Sequence, residues 1–235
     1  WYMADEGWTF APGDSVLPDT VNNTSLMHQV YTAAKPDYSG RVTVPVLWDK
    51  KTQTIVSNES AEIIRMFNNA FNAVTGNTDD YWPEALRDAI APVNDRIYDT
   101  FNNGVYRCGF ATTQAAYDEA ISPLFDTLDW LEDRLFKNRY LMGDQVTEAD
   151  WRLFTTLVRF DPVYHLHFKC NKKRIIDYPN LWAYCRELYQ HPGVQATVGM
   201  QHIVRHYHYS HDTINPNRIL PVNPDIDWLE PHGRG

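Results

Sequence analysis

The stretch that decides the fold runs from Arg41 to Ser60 and reads Arg-Val-Thr-Val-Pro-Val-Leu-Trp-Asp-Lys-Lys-Thr-Gln-Thr-Ile-Val-Ser-Asn-Glu-Ser. Residues 41–48 are β-branched and apolar, residues 49–53 form a polar link, and residues 54–57 form a second short run of strand type. This pattern predicts two antiparallel strands. Because cap residues at 57–60 then precede apolar residues at helical spacing, the stretch as a whole predicts a ββα unit.

The residues on either side set the limits of this unit. Residues 1–40 are rich in Gly, Pro, Asp, Asn and Ser, which predicts a long loop with at most one short helix near Leu26–Tyr31. The helix after the hairpin is expected to carry Ile63, Ile64, Phe67 and Phe71. A polar turn follows at residues 76–80, so we place a domain boundary there and predict domains at 1–76 and 77–235.

The second domain shows helical periodicity and no strand alternation. A first helix should open at Trp82-Pro83, bend at Pro92 and end at Asn102-Asn103-Gly104. A second helix carries one apolar stripe, made of Tyr117, Ile121, Leu124, Leu128, Leu131 and Leu135. Thr147 and Asp150 form a variant of the capping box for a third, buried helix, and Pro179 begins a fourth that stops at 191–193. From Ile214 onward the sequence predicts coil.

Composition and charge exclude several classes of protein. The chain has 235 residues with 43% apolar content, which is enough for a buried core, and its net charge of -9 argues against nucleic acid as a partner. No apolar run approaches the roughly 18 residues that a membrane-spanning helix needs. The three cysteines show no CxxC spacing, so a reducing compartment, the cytoplasm, is expected.

Two features of the ββα stretch point to a ligand. Pro45 interrupts an apolar strand, and a cis Val44-Pro45 bond would turn the Val44 backbone outward to pair with an extended, peptide-like ligand. Glu59-Ser60 falls at a helix start, where free amides attract a carboxylate and the Glu59 side chain could meet an ammonium group. The alternatives are an ordinary trans proline at a sheet edge and side chains at 57–59 that only cap the helix.

Together these residues resemble a known family. Val44-Pro45, Glu59-Ser60 and Thr147-Glu148-Ala149-Asp150, in this order, resemble a glutathione transferase, whose fold is a thioredoxin-like α/β domain followed by an all-helical domain. Further strings are similar to the Xi class, the glutathionyl-hydroquinone reductases; they lie at residues 7–10, 39–49, 102–106, 159–164, 213–216 and 231–234. The resemblance covers nearly the whole chain, and it implies that only part of the thioredoxin-like domain is contained in residues 1–76.

The resemblance also implies an activity and a set of site residues. Enzymes of this class use glutathione to reduce glutathionyl-hydroquinones to hydroquinones through a cysteinyl-glutathione mixed disulfide, and they need no metal. By position, the glutathione-binding residues would be Trp8, Arg41, Val44, Pro45, Glu59 and Ser60, with Trp8 covering the ligand. The helical domain would contribute Tyr106, Tyr164 and Tyr207 to the quinone pocket. The class also implies a homodimer.

One part of the family pattern does not occur in these residues. The family's nucleophile lies in a Cys-Pro-Trp-Ala motif upstream of the Gly7-Trp-Thr-Phe10 string, and the 235 residues contain no such motif. We therefore expect a preceding segment that carries it. Cys108, which follows Tyr106-Arg107, is the one alternative nucleophile worth naming, although a buried cysteine is usually a small apolar residue.

Two competing interpretations stay open. His202, His206, His208 and His211 could hold zinc, since residues four apart share a helix face, although the spacing matches no known zinc pattern. Alternatively, the protein could be a non-catalytic binding or scaffold protein with the glutathione transferase fold. The presence of Trp8, Arg41, Glu59 and the three tyrosines together favours an enzyme.

Overall fold

The structure is a computed structural model, which describes residues 3–13 and 16–234. The chain divides into two compact units, with the boundary between Asp80 and Tyr81. We call them the first and the second unit. The division falls at the end of the polar turn at 76–80, four residues beyond the boundary placed after Gly76.

Within residues 3–13 and 16–80, the first unit contains two small antiparallel sheets and three helices. Its elements are β1 (Met3–Ala4), β2 (Gly7–Trp8), α1 (Met27–Ala34), β3 (Leu47–Asp49), β4 (Thr54–Ser57), α2 (Ser60–Asn69) and α3 (Asn72–Thr75). β1 pairs with β2 and β3 pairs with β4. The predicted ββα unit is therefore present as β3, β4 and α2.

The first predicted strand is much shorter than the sequence suggested. Only Leu47–Asp49 pair with β4, and the prediction of a strand from residue 41 was wrong. The reason lies at Thr43, whose N–H donates to the Tyr31 hydroxyl at 3.2 Å and whose carbonyl accepts from the same hydroxyl at 2.8 Å. A side chain from α1 thus takes the hydrogen bonds that a neighbouring strand would otherwise supply.

Two further expectations for the first unit need correction. Residues 1–40 hold a short hairpin, β1 and β2, as well as α1; β2 begins directly after a two-residue turn with Gly7 at a φ of 92°, a conformation that glycine adopts readily. Phe71 does not lie on α2 but directly before α3. Asn68 and Asn69 close α2, and asparagine competes poorly for helix interiors.

The second unit is helical throughout, apart from its connections and its C-terminal coil. Its α-helices are α4 (Arg87–Ile97), α5 (Gly104–Gly109), α6 (Gln114–Lys137), α7 (Glu148–Arg159), α8 (His165–His167), α9 (Pro179–Gln190) and α10 (Met200–Ser210). Three 3₁₀ turns occur at Glu84–Leu86, Ile175–Asp177 and Gln195–Thr197, and two π-helical segments at Tyr98–Asn102 and Phe160–Tyr164.

The core of this unit forms around α6. The predicted stripe of α6 is buried from Leu124 through Leu135, whereas Tyr117 and Ile121 are only partly covered. Pro92 lies inside α4 as expected. The first helix does not end at Asn102-Asn103-Gly104, because the π-helical segment and the helical backbone of Asn103 carry the chain into α5.

The capping box of α7 is confirmed and reaches beyond its own helix. The Asp150 carboxylate accepts hydrogen bonds from the Thr147 N–H at 2.7 Å, from the Leu141 N–H at 2.9 Å and from the Tyr184 hydroxyl of α9 at 2.8 Å. Asp150 is fully buried, and burial raises the pKa of its carboxyl group. One side chain thereby joins α7, α9 and the loop before α7.

Candidate functional site

The loop that ends at Pro45 presents its backbone for binding. The Val44–Pro45 peptide bond is cis, which excludes the alternative of an ordinary trans proline, and Val44 is 42% exposed. Within the described residues, the N–H and C=O groups of Val44 take part in no hydrogen bond. An extended peptide could therefore pair with both groups, as an added strand does.

A network of three side chains holds this loop against the start of α2. The Asn58 amide donates to the Tyr31 hydroxyl at 3.1 Å and to Thr43 Oγ1 at 3.2 Å. In one of the two interpretations of residues 57–59 Asn58 only caps the helix, but its side chain instead joins α1, the Val44 loop and the start of α2. Tyr31 and Thr43 were missed by the sequence analysis, because nothing local indicates that they meet.

The start of α2 is capped by other residues than Glu59. The Ser57 hydroxyl accepts from the Glu59 N–H at 3.1 Å and donates to the Glu62 carboxylate at 2.8 Å. Glu59 occupies the N-cap position, yet its side chain makes no capping hydrogen bond, and both Glu59 and Ser60 are exposed. A carboxylate of a ligand could approach the free amides of this first turn, and Glu59 stays available for a cationic group.

The remaining two predicted residues of the first unit lie on neighbouring segments. Trp8 is half-buried in β2, and Thr9 next to it bridges to Leu26 at the start of α1. Arg41 is exposed at the beginning of the Val44 loop, where its carbonyl accepts from the Tyr38 hydroxyl at 2.7 Å. The Tyr31 network brings together the Val44 loop and the start of α2, where Glu59-Ser60 lie.

In the second unit, the three predicted tyrosines come together from three elements. Tyr106 lies on α5, Tyr164 ends the π-helical segment Phe160–Tyr164, and Tyr207 lies on α10. The Tyr207 hydroxyl is 2.5 Å from the Tyr106 hydroxyl and 2.7 Å from the Tyr164 hydroxyl. We call these residues the tyrosine cluster. Only Tyr106 is substantially exposed, at 37%, against 2% for Tyr164 and 6% for Tyr207.

Burial fixes the ionisation of the two inner tyrosines. Desolvation raises the pKa of Tyr164 and that of Tyr207; Tyr106 adds to the rise at both groups, whereas the hydrogen bond from Tyr164 opposes it at Tyr207. Both groups therefore keep their protons at neutral pH and can act as hydrogen-bond donors.

Phe168 and Gly109 support the tyrosine cluster and were missed by the sequence analysis. The Phe168 ring is parallel to Tyr164, at 5.5 Å between centroids and 12° between planes, and it also lies 5.3 Å from Tyr106. It occupies the space where a Cβ at Gly109 would stand. No local sequence signal marks this contact, since Gly109 and Phe168 are 59 positions apart in the sequence.

The histidines near the tyrosine cluster pack as neutral rings. His167 Nε2 is 3.1 Å from His211 Nδ1, and His208 Nδ1 is bonded to the Val204 carbonyl. Desolvation lowers the pKa of His167 to about 3 and that of His211 to about 4. Across residues 3–13 and 16–234, no three His, Cys, Asp or Glu side chains are placed to hold a metal ion.

Cys108 is 1% exposed on α5, and all three cysteines are free. A hydrogen bond with Cys170 lowers the pKa of Cys108, and the charge of Arg107 acts in the same direction. The Cys108 side chain is buried, as is usual for a cysteine that packs as a small apolar residue.

In the described part of the chain, no helix combines the length and the apolarity needed to cross a bilayer.

Comparison with known proteins agrees with this geometry. Residues 114–187 match the family model of the glutathione S-transferase C-terminal domain. The chain is 56% identical to the glutathionyl-hydroquinone reductase YqjG of Escherichia coli over 236 residues, which cover 99% of the chain and 71% of the relative. It is 55% identical to the glutathionyl-hydroquinone reductase PcpF of Sphingobium chlorophenolicum over 223 residues, which cover 95% of the chain and 71% of the relative.

Solved structures give the same result. The glutathione-bound structure of YqjG superposes with a TM-score of 0.97 at 56% identity, covering 99% of this chain and 76% of the other. The Xi glutathione transferase of Phanerochaete chrysosporium superposes with a TM-score of 0.93 at 52% identity, covering 95% and 78%. The fold is thus the glutathione transferase fold, and the chain belongs to the Xi class of glutathione transferases, the family of the glutathionyl-hydroquinone reductases.

Proposed function

We propose that this protein reduces glutathionyl-hydroquinones to hydroquinones at the expense of glutathione. Two relatives at 55% and 56% identity carry the name of this activity, and a solved relative at 56% identity holds glutathione. The observation in this chain that best supports the proposal is the tyrosine cluster, which leaves one phenol facing solvent.

The first unit would bind the glutathionyl group. Val44 would pair through its free N–H and C=O with the cysteinyl backbone of glutathione, and Pro45 would hold that backbone outward. Glu59 and Ser60 would hold the γ-glutamyl end, the carboxylate at the amides of α2 and the ammonium group at the Glu59 side chain. Arg41 would pair with a carboxylate of the ligand, and Trp8 would cover it.

The reaction consists of the cleavage of a carbon–sulfur bond by a thiolate, followed by a thiol–disulfide exchange. A cysteine thiolate attacks the glutathionyl sulfur, the bond between that sulfur and the ring carbon breaks, and the ring carbon gains a proton. The enzyme is left as a mixed disulfide, which a second glutathione thiolate cleaves to give glutathione disulfide. The ring carbon is reduced and two glutathione sulfurs are oxidised, so the electrons balance. The family's nucleophile is not among the 235 residues, and no residue of this chain is proposed in its place.

The tyrosine cluster would bind the hydroquinone through a chain of donors. Within the described residues, the only acceptor for the buried Tyr164 hydroxyl is the Tyr207 oxygen, so Tyr164 donates to Tyr207. The Tyr207 proton is then directed to Tyr106, and the Tyr106 proton remains free on the exposed side. A quinol oxygen can accept it, and the negative charge that develops on that oxygen when the ring carbon is cleaved from sulfur strengthens the hydrogen bond.

The cellular compartment and the oligomeric state belong to the same proposal. Three free, buried cysteines suit a reducing compartment, and we place the protein in the cytoplasm. We also propose a homodimer, by analogy with its class, which light scattering on the purified protein would test.

The proposal is tested by turnover of a glutathionyl-benzohydroquinone by the protein expressed from its complete reading frame. Release of hydroquinone together with one glutathione disulfide per turnover supports a reductase. Binding of glutathione without turnover would contradict the proposal and favour a non-catalytic scaffold protein.

A further inference from the structure

The hydroxyl group of Tyr31 uses its whole hydrogen-bonding capacity on the loop that carries Val44 and on the residue before α2. It donates to the Thr43 carbonyl at 2.8 Å, and it accepts from the Thr43 N–H at 3.2 Å and from the Asn58 amide at 3.1 Å. A tyrosine hydroxyl has one proton and two lone pairs, so all three are engaged. The Tyr31 side chain is only 2% exposed, which keeps water from competing for these bonds.

This arrangement decides which way the backbone of Val44 faces. The N–H and C=O groups of Thr43 reach the same hydroxyl, so both point to one side of the chain, as they do in a residue that pairs with a neighbouring strand. In an extended chain, the backbone groups of the next residue point to the opposite side. The N–H and C=O groups of Val44 are therefore directed away from Tyr31.

Tyr31 is itself held firmly by its surroundings. It lies on α1, which packs against β2 and β4. Its ring contacts the ring of Tyr38 at 4.9 Å between centroids, and the Tyr38 hydroxyl donates to the Arg41 carbonyl at 2.7 Å. Two tyrosines in contact thus hold the loop at two backbone positions, Arg41 and Thr43. A loop that is restrained in this way loses less conformational entropy when it binds a ligand.

Asn58 extends the same network to the start of α2. Its amide group donates to the Tyr31 hydroxyl and, at 3.2 Å, to Thr43 Oγ1. Asn58 directly precedes Glu59 and Ser60 in the sequence. The Val44 loop and the first turn of α2 are therefore fixed relative to each other through the hydroxyl of Tyr31.

We propose that Tyr31 is a positioning residue of the glutathione site: its hydroxyl takes the place of a neighbouring strand and presents the N–H and C=O groups of Val44 to the cysteinyl backbone of glutathione. The inference rests on the proposed function for the identity of the ligand. Tyr31 acts through Val44 and is not itself a contact of the ligand. Its effect is to orient both backbone groups before the ligand arrives.

The test compares two ligands, glutathione and glutathione methylated at the cysteinyl nitrogen, by titration calorimetry on the protein expressed from its complete reading frame. The methylated ligand cannot donate to the Val44 carbonyl, so the wild type should bind glutathione at least about tenfold more tightly. Tyr31→Phe should raise the Kd for glutathione about tenfold and reduce the preference to about twofold or less, because Val44 is no longer held facing the ligand.

Three further variants separate this effect from a general loss of stability or affinity. Tyr184→Phe removes a buried hydroxyl of the second unit, which donates to Asp150 at 2.8 Å; it should lower the melting temperature and change neither Kd. Glu59→Gln should weaken both ligands by the same factor and keep the preference, because Glu59 meets the γ-glutamyl end of glutathione. Thr43→Ser keeps the backbone and the hydroxyl group at this position and should bind both ligands as the wild type does.

Amide hydrogen exchange in the wild type tests the same geometry without any substitution. The Thr43 N–H, which is bonded to Tyr31, should be protected with and without glutathione. The Val44 N–H should exchange rapidly in the free protein and at least about tenfold more slowly in saturating glutathione. This measurement decides the question if Tyr31→Phe does not fold.

The proposal would be overturned by equal affinity of the wild type for the two ligands, by an unchanged preference in Tyr31→Phe, or by a Val44 N–H whose exchange glutathione does not slow. None of these results contradicts the proposed reductase activity, which is measured by turnover. Conversely, binding with the expected preference but without turnover would contradict the proposed function and support the role of Tyr31. A wild-type protein that does not bind glutathione would contradict both.

Discussion

The ring of Phe168 fills the space that a Cβ at Gly109 would occupy, so the helix that carries Tyr106 and the ring that stacks on Tyr164 touch without any intervening side chain. This contact fixes two members of the tyrosine cluster relative to each other. It explains why glycine is needed at the end of α5, where its backbone has an ordinary helical conformation and needs no positive φ.

Gly109→Ala is expected to displace Phe168 and with it Tyr106 and Tyr164. Overpacking of this kind typically costs about 1–3 kcal/mol in the free energy of unfolding. Gly104→Ala on the same helix is the matched control, because its Cβ would meet Leu124 at an ordinary distance of 3.6 Å. Urea denaturation of both variants checks this. A Gly109→Ala protein as stable as Gly104→Ala would show that the contact is not tight.

Tyr106→Phe should lower the turnover of a glutathionyl-hydroquinone by about 10- to 100-fold, the range expected when one hydrogen bond to a developing charge is lost. The Kd for glutathione should stay within about twofold, since Tyr106 is not among the proposed glutathione-binding residues. Tyr98→Phe is the control, because Tyr98 is also exposed and lies on the π-helical segment just before α5. Equal turnover in the two variants would remove Tyr106 from the quinone pocket.

Tyr207→Phe should affect stability as well as turnover. The hydroxyl of Tyr207 is the acceptor for the buried Tyr164 proton, so its removal leaves a buried donor unpaired, at a cost of about 1–3 kcal/mol. Tyr106→Phe breaks only the hydrogen bond between Tyr106 and Tyr207, whereas Tyr207→Phe breaks both hydrogen bonds of the cluster. Melting temperatures should therefore fall more for Tyr207→Phe than for Tyr106→Phe; the reverse order would contradict the central position of Tyr207 in the cluster.

The sequence predicted those parts of the fold that depend on local patterns. The stripe of α6 and the capping box at Thr147 and Asp150 have short-range signals, and both are present. The sequence left the Val44–Pro45 bond open between cis and trans, and the bond is cis. The strand from residue 41 failed because its hydrogen bonds go to Tyr31, twelve residues upstream of Thr43. β-branched residues alone do not reveal such a competing partner.

The site residues were predicted from the family resemblance, but the residues that pack against them were not predicted. The positions of the three tyrosines came from family strings, yet no string indicates that Phe168 and Gly109 pack between them. The π-helical segment that ends at Tyr164 has no periodic signature either. A single wide turn changes which residues lie on one face of a helix, but it leaves the residue composition unchanged. The sequence therefore could not predict contacts between residues that are far apart in the chain, nor single wide turns within a helix.

Glu59→Gln should raise the Kd for glutathione about 10-fold, the effect of losing one charged hydrogen bond, and leave stability unchanged, because Glu59 makes no capping bond. Glu62→Gln is the contrasting variant. It weakens the hydrogen bond from Ser57 that caps α2 and should lower stability more than it changes the Kd for glutathione. Calorimetric titration and thermal melting of both variants test the distinction. A Kd that is the same in wild type and Glu59→Gln would exclude Glu59 from the site.

Acid should destabilise the protein through its packed histidines. Desolvation lowers the folded-state pKa of His167 to about 3 and that of His211 to about 4, below the value of about 6.5 in an unfolded chain. The unfolded state therefore binds more protons at every pH between about 4 and 6.5, so stability is complete above 6.5 and falls as the pH drops through this window. Urea midpoints measured from pH 7 to pH 4.5 should decline less steeply in His211→Gln than in wild type. His28→Gln, which changes an exposed histidine on α1, should follow the wild-type slope; if His211→Gln follows it too, His211 is not the source of the pH dependence.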